Sequence, residues 1–300
     1  MTVPRISLSR RGAVFALATA PWLAHAQRDA NAPLRVLLSD RTSSVPLVAA
    51  VRARYARVAI ATEIAAFPAD ASGAPLLAVG ARALAHALDA APRAPTVALA
   101  TREFYRETTA ATVNHPWLTG IFTLPSIAVQ LRVTARLLGR PGRILVPVLG
   151  DGAAIEAELR ASNPASFEIA VLRVAADENI ARALARSDPF DAVVALPQPE
   201  LYTPLAFRAL LEATYRRGKP VIGFNDTSVA AGAVIAPYSA VDDLLDHFDE
   251  LLPTVGRAPA PPPTFPKYWR VSVNDNVARS LGIPVTAALR ALGASKNRRP

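Results

Sequence analysis

The stretch that decides the fold runs Arg143-Ile-Leu-Val-Pro-Val-Leu149, Gly150-Asp151-Gly152, Ala153-Ala-Ile-Glu-Ala-Glu-Leu-Arg-Ala161. Its first part is almost continuously aliphatic, the pattern of a strand covered on both faces rather than one with a wet side. The Gly-Asp-Gly that follows is a tight turn. The Ala-, Glu- and Leu-rich segment beyond it is built of strong helix formers. A second apolar strand, Phe167–Val174, comes next. Strand, turn, helix and parallel strand make one βαβ unit, and such units build open α/β sheets.

Outward from this unit the alternation continues both ways. Toward the N-terminus, Leu34–Leu38, Val58–Ala61, Leu76–Val79 and Thr96–Ala100 read as strands. Ser43-Ser44 supply a helix cap ahead of Pro46, and a helix follows Gly80. Ser126–Leu138 is a helix ended by Gly139. Toward the C-terminus, Ala192–Leu196 and Val221–Phe224 are strands. Thr203–Arg217 is a helix with Gly218 at its end. A helix capped by Ser239 runs to Leu252, and Trp269–Val273 is a last strand. Between them, six of the fourteen residues from Pro253 to Pro266 are proline, so this segment is extended and crosses between lobes. The chain is expected to be α/β, with two Rossmann-like lobes carrying parallel sheets. Residues 33–118 with 237–262 form the first lobe, and 119–236 with 263–300 the second.

Residues 1–26 read as a signal peptide. Arg5, Arg10 and Arg11 precede an apolar segment from Gly12 to Leu23, and Ala24-His25-Ala26 is an A-x-A cleavage pattern. Ser9-Arg10-Arg11 leaves both the twin-arginine route and ordinary secretion open. The chain has no cysteine, which removes disulfides, thiolate nucleophiles and a lipidated anchor. An exported, soluble, unanchored, monomeric periplasmic protein is the expectation. The formal charge of +9 falls to about +6 after cleavage, and it is scattered arginine rather than a basic face with interleaved aromatics. Nucleic acid is therefore not an expected partner.

Catalytic and metal motifs do not assemble. His86, His115 and His247 share no metal spacing, and no G-x-S-x-G, Walker A or G-x-G-x-x-G sequence occurs. No catalytic residue, metal or cofactor is expected. Asp242, Asp243, Asp246, Asp249 and Glu250 form an acidic helix stripe read as solvated, with a partner-docking face as the alternative. The promising positions are the strand ends, because open parallel sheets bind ligands beyond their carboxyl edges. Asp40, Ser43, Ser44, Gly80, Thr101 and Phe104 fall there in the first lobe. Asp151, Gln198, Tyr202, Asn225 and Asp226 do so in the second. Hydroxyl and N–H groups would fix polar atoms of a small solute, with Phe104 or Tyr202 stacking on its apolar part.

Leu196-Pro-Gln-Pro-Glu-Leu-Tyr202, Tyr215-Arg-Arg-Gly-Lys-Pro-Val-Ile-Gly-Phe-Asn225, Ala231-Gly-Ala233, Tyr268–Asn274 and Val277-Ala-Arg-Ser-Leu-Gly282 occur in this order. Together they resemble ABC-transporter substrate-binding proteins of the tryptophan/tyrosine-binding type, in their poorly characterised proteobacterial branch. The resemblance implies a type I periplasmic-binding-protein architecture with a hinge, no catalysis, and closure around a small ligand passed to an inner-membrane ABC permease. A sensor or outer-membrane receptor is the alternative partner. The family commonly has Asp where Gln198 stands, Asp-Pro where Arg102-Glu103 stands, and Gly-Asn in place of Asn114-His115-Pro116-Trp117. Arg41 and Arg102 leave an acidic ligand open beside an amino acid.

Overall fold

Five strands of the first lobe form one sheet: β1 (Leu34–Leu38), β2 (Val58–Ala61), β3 (Leu76–Val79), β4 (Thr96–Ala100) and β5 (Leu118–Phe122). All are parallel, in the order β2-β1-β3-β4-β5. β1 and β4 are buried at every position, as parallel strands are when helices cover both faces. Those helices include α1 (Val45–Arg54), α2 (Ala81–Asp89) and α3 (Arg102–Thr109). A computed structural model describes residues 34–40, 44–67, 73–89, 94–110, 115–163, 167–255 and 260–296. The signal-peptide reading, Arg41, Ser43 and Asn114 lie outside the described residues.

The second lobe begins with α4 (Ile127–Leu138) and β6 (Arg143–Leu149), then α5 (Ala153–Ala161), β7 (Glu168–Val174), α6 (Ile180–Ala185) and β8 (Ala192–Val194). It continues with α7 (Pro204–Tyr215), β9 (Val221–Ile222), α8 (Asp226–Ala230) and β10 (Ile235–Tyr238). The sheet order is β11-β10-β9-β8-β6-β7, where β11 is Arg270–Val273. Position for position, β7-β6-β8-β9-β10 repeats the order of the first sheet. β11 is an addition at the edge, antiparallel to β10.

The chain passes between the lobes three times. It leaves the first sheet after β5 and enters α4. It returns after β10 to lay α9 (Val241–Leu251) on the first lobe, where Leu244, Leu245 and Phe248 join the core of β1, β3 and β4. It crosses again on the way to β11. Thr264 pairs beside β5 first, its N–H donating to Gly120 O and its carbonyl accepting from Phe122 N–H, both at 2.9 Å. From Pro261 to Pro266 only Thr264 and Phe265 carry an N–H, so Thr264 is one of just two residues there able to bond a strand. The connections between the two sheets thus fall at 122–127, 238–241 and 264–270. α10 (Asp275–Ser280) and α11 (Ala287–Arg290) follow, burying Ala278 and Leu289 in the core of the second lobe.

Several sequence expectations are corrected. β5 and β10 were not read as strands. β10 contains Pro237, which argues against a strand inside a sheet. β9 has only two residues and pairs with β10 at Ile235, so Pro237 lies past its end and no N–H is needed there. Thr101 to Phe104, expected at a strand end, open α3, with Thr101 as its cap. Ser239 does not cap α9: its hydroxyl donates to Tyr268 O at 2.8 Å, while Asp243 Oδ2 accepts from Ala240 N–H at 3.1 Å. The acidic stripe is not a solvated face. Asp243 and Asp246 are buried, and each is bonded to an arginine.

Candidate functional site

Except for Tyr202, which stands well past β8 in the core of the second lobe, the described candidate residues fall within a few residues of the carboxyl end of a parallel strand. In the first lobe Asp40 follows β1 and is exposed, with its carbonyl accepting from Ser44 Oγ at 2.7 Å. Ser44 is buried and occupies the N-cap position of α1, but its hydroxyl points back to close this turn rather than capping the helix. Gly80 follows β3 with φ +88°, a conformation that costs a glycine little. A Cβ there would stand 2.6 Å from Ser39 Oγ. Ser39 accepts from Ala83 N–H at 3.0 Å and so ties the end of β1 to the start of α2. Thr101 follows β4, and its Oγ1 accepts from Phe104 N–H at 3.3 Å. Phe104 is 45% exposed.

In the second lobe Asp151 follows β6. Its Oδ1 accepts from Ala153 N–H at 3.1 Å, and its carbonyl accepts from Arg173 Nε–H at 2.7 Å. Asn225 follows β9 and caps α8 in a reciprocal arrangement: Ser228 N–H donates to Asn225 Oδ1 at 2.8 Å, and Asn225 N–H donates to Ser228 Oγ at 3.3 Å. Asp226 is exposed, and its Oδ1 accepts from Thr227 N–H at 2.9 Å.

Gln198 is committed to the sheet. Pro147 in β6 offers no N–H toward β8, and the pairing of those strands reaches only Leu145 with Val193. Beyond that point the Gln198 amide takes the place of a strand partner. Its Oε1 accepts from Leu149 N–H at 2.9 Å and its Nε2 donates to Pro147 O at 3.2 Å.

Tyr202 is buried among aromatic rings, with centroids 5.6 Å from Phe207 and 6.0 Å from Phe224. Its hydroxyl has no hydrogen-bond partner among the described residues, and burial pushes the phenol pKa up. A buried, unpaired hydroxyl costs about 1–3 kcal/mol, so it is a group that gains when a partner arrives.

Two further residues organise this edge: Gln130, which nothing in the sequence reading singles out, and Arg102, which that reading leaves open as a contact for an acidic ligand. Gln130, buried in α4, donates through Nε2 to Ala195 O at 2.6 Å and Gly223 O at 2.8 Å, which holds the ends of β8 and β9 side by side. A glutamine one turn before Thr134 on a mostly apolar helix face is its only signal in the sequence. Arg102, the first residue of α3, reaches the other lobe and donates through Nη1 to Glu158 Oε1 on α5 at 2.5 Å. That bond raises its pKa further.

The exposed large apolar residues among the described residues are Val45, Phe104, Leu205 and Tyr215. Val45, Phe104 and Leu205 sit in the first turns of α1, α3 and α7, the ends nearest the carboxyl edges of the sheets. Leu205 is 80% exposed. Among the described residues no helix is long and apolar enough to cross a membrane.

Two lobes with repeated sheet order, three crossings and polar strand ends define the type I periplasmic-binding-protein fold. Solved structures share it at low identity. A substrate binding protein with adhesive properties from Clostridium difficile, in its ligand-free, open structure, is 10% identical; the match covers 86% of this chain and 97% of that one, with a TM-score of 0.64. An ABC domain from Streptococcus pneumonia in complex with L-Trp is 14% identical over 85% of this chain and 97% of that one, with a TM-score of 0.55. A conserved domain protein from Vibrio cholerae is 16% identical over 87% and 98%, with a TM-score of 0.54. No family model and no curated protein matches the sequence.

Proposed function

We propose that this chain is a solute-binding protein, exported to the periplasm, that closes its two lobes over a small molecule with a polar group and an apolar portion. It then hands that molecule to an ABC permease. The carrying observation is that Val45, Phe104 and Leu205 expose apolar surface in the first turns of α1, α3 and α7, helices that follow strands of both sheets. Exposed apolar surface rimmed by polar groups marks a binding surface.

In this reading Asp40, Thr101 and Phe104 act from the first lobe, with Gly80 shaping its β3–α2 turn. Tyr202, Asp151, Asn225 and Asp226 act from the second. Arg102 is engaged by Glu158, which favours a neutral or amine-bearing solute over an anionic one. Chemistry is not part of the reading, and the chain acts as a monomer.

Thermal unfolding of the chain from residue 27, freed of co-purified solute by unfolding and refolding, tests it. A panel of amino acids, small amines and polyols should contain a compound that raises the melting temperature in a concentration-dependent way. A panel without a stabiliser contradicts the proposal.

A second reading draws on the same residues. Leu205 and Val45 would also suit a sensor or receptor that docks on the lobe edges. Leu205→Ser separates the two: it lowers partner affinity under the second reading and leaves solute-induced stabilisation intact.

A further inference from the structure

Arg102 and Glu158 join the lobes directly. Arg102 opens α3 at the carboxyl edge of the first sheet, its backbone fixed by the Thr101 cap. Glu158 lies on α5 beside Leu159, which is fully buried in the core of the second lobe. Both side chains are thus mounted on rigid elements, and each is about three-quarters buried. The Nη1–Oε1 distance is 2.5 Å. The guanidinium carbon also lies 5.6 Å from the ring centroid of Phe265, in the third crossing, so Arg102 touches the first lobe, a crossing and the second lobe together. Its Nε stands 3.4 Å from Glu103 Oε1 as well.

This contact differs from the ion pairs of α9. The pairs of Arg54 with Asp246 and Asp249 lie within the first lobe, and those of Asp243 and Glu250 with Arg270 and Lys267 lie at the third crossing, where a rotation of the lobes produces little displacement. Arg102 and Glu158 sit on two helices that no crossing joins directly, so a change in the angle between the lobes changes their separation. A charge-assisted hydrogen bond tolerates less than about 1 Å of lengthening before it is lost.

We infer that Arg102 and Glu158 form an inter-lobe latch that fixes how far the lobes stand apart before any solute arrives. The inference rests on the reading that the lobes move about their crossings, but it assigns the resting position to one ion pair rather than to the crossings. Phe265 keeps the guanidinium aimed across the gap. Being partly exposed, the pair is weakened by salt.

The absence of cysteine makes the test clean. Ala49→Cys on α1 and Ala230→Cys on α8, both exposed, carry spin labels on opposite lobes, and electron–electron distance measurements report their separation. The otherwise unmutated chain should give one narrow distribution at low salt. Glu158→Gln, which keeps the size of the side chain, should broaden and shift it. Salt at about 1 M should shift the unmutated chain in the same direction and leave Glu158→Gln unchanged. Circular dichroism checks that both proteins are folded, and the salt titration tests the latch without a substitution in it. A Glu158→Gln distribution that superimposes on the unmutated one overturns the latch. If a solute then shifts both proteins alike, the binding proposal stands without the latch; a separation indifferent to salt, substitution and solute removes both.

Discussion

The carboxylate of Asp243 accepts from Arg270 through both Nε and Nη2, at 2.7 and 2.9 Å. One bidentate pair therefore holds α9, packed on the first sheet, to β11 at the edge of the second. The rest of α9 continues the connection on two sides. Asp246 and Asp249 receive Arg54 of α1, and Tyr55 Oη donates to Asp249 Oδ1 at 2.6 Å. Glu250 receives Lys267 and Tyr268 of the third crossing, each at 2.5 Å. The helix is an ionic strap across the lobe junction, which explains why so acidic a segment is also so buried.

Removing the Asp243 carboxylate strands Arg270 and uncaps α9. Breaking a buried pair from one side costs about 3–5 kcal/mol, and the partial exposure of Arg270 brings this to about 2–4 kcal/mol. Asp243→Ala should lose that much in urea unfolding, and Asp243→Asn less. A loss below about 0.5 kcal/mol would show that the strap contributes nothing.

His247 makes the same junction sensitive to acid. It is buried, and its Nδ1 accepts from Lys267 N–H at 3.2 Å, so the protonated ring cannot keep that bond. Burial is the main cause that lowers its pKa; Lys267 lowers it further and Glu250 opposes. Asp243 and Asp246 on the same helix are already held by arginines. With the folded value below the unfolded one, stability is fully present above about pH 6.5 and is lost as pH falls through the folded pKa. His247→Asn, whose Oδ1 can stand in for Nδ1, should flatten the slope of stability between about pH 5 and 7. An unchanged slope would assign it to other groups.

Gln130 holds two carbonyls that β8 and β9 leave unpaired at their ends. In Gln130→Leu both lose their donor inside the second lobe. Each buried, unsatisfied group costs about 1–3 kcal/mol, so a fall of roughly 2–5 kcal/mol in unfolding free energy is expected. Amide exchange at Ala195 and Gly223, whose N–H groups bond Ile222 O and Ile235 O, should quicken as well, and protection equal to the unmutated chain would count against this role.

Tyr202→Phe separates folding from binding. Its hydroxyl has no partner among the described residues, so removing it should leave the stability of the solute-free protein within about 0.5 kcal/mol, or raise it. If a solute completes that hydroxyl, affinity should fall by about 1–1.5 kcal/mol, close to tenfold. A destabilisation above about 1.5 kcal/mol without solute would mean the hydroxyl is already satisfied.

The sheets were legible where their strands are long and apolar. Arg143–Leu149 and Thr96–Ala100 announce themselves because burial on both faces demands continuous hydrophobicity. Pro237 hid β10, since a proline argues against a strand unless the neighbour ends early, and the two-residue length of β9 is a tertiary fact. The strand ends were legible as turns and caps, but what their side chains do was not. Gln198 reads as a ligand contact until Pro147 is seen to leave its strand short of a partner. Arg102 reads as either an acidic-ligand contact or a salt-bridge partner until Glu158 arrives, 56 residues away in sequence. The acidic stripe carried the right charge in the wrong setting, because its arginines come from α1 and β11.

The account depends most on the lobes closing. Small-angle scattering of the chain from residue 27, with and without a compound that raises its melting temperature, measures this directly. The radius of gyration should fall on saturation and return when the compound is removed. A compound that binds at one site per chain and leaves the scattering curve unchanged would contradict closure over a solute.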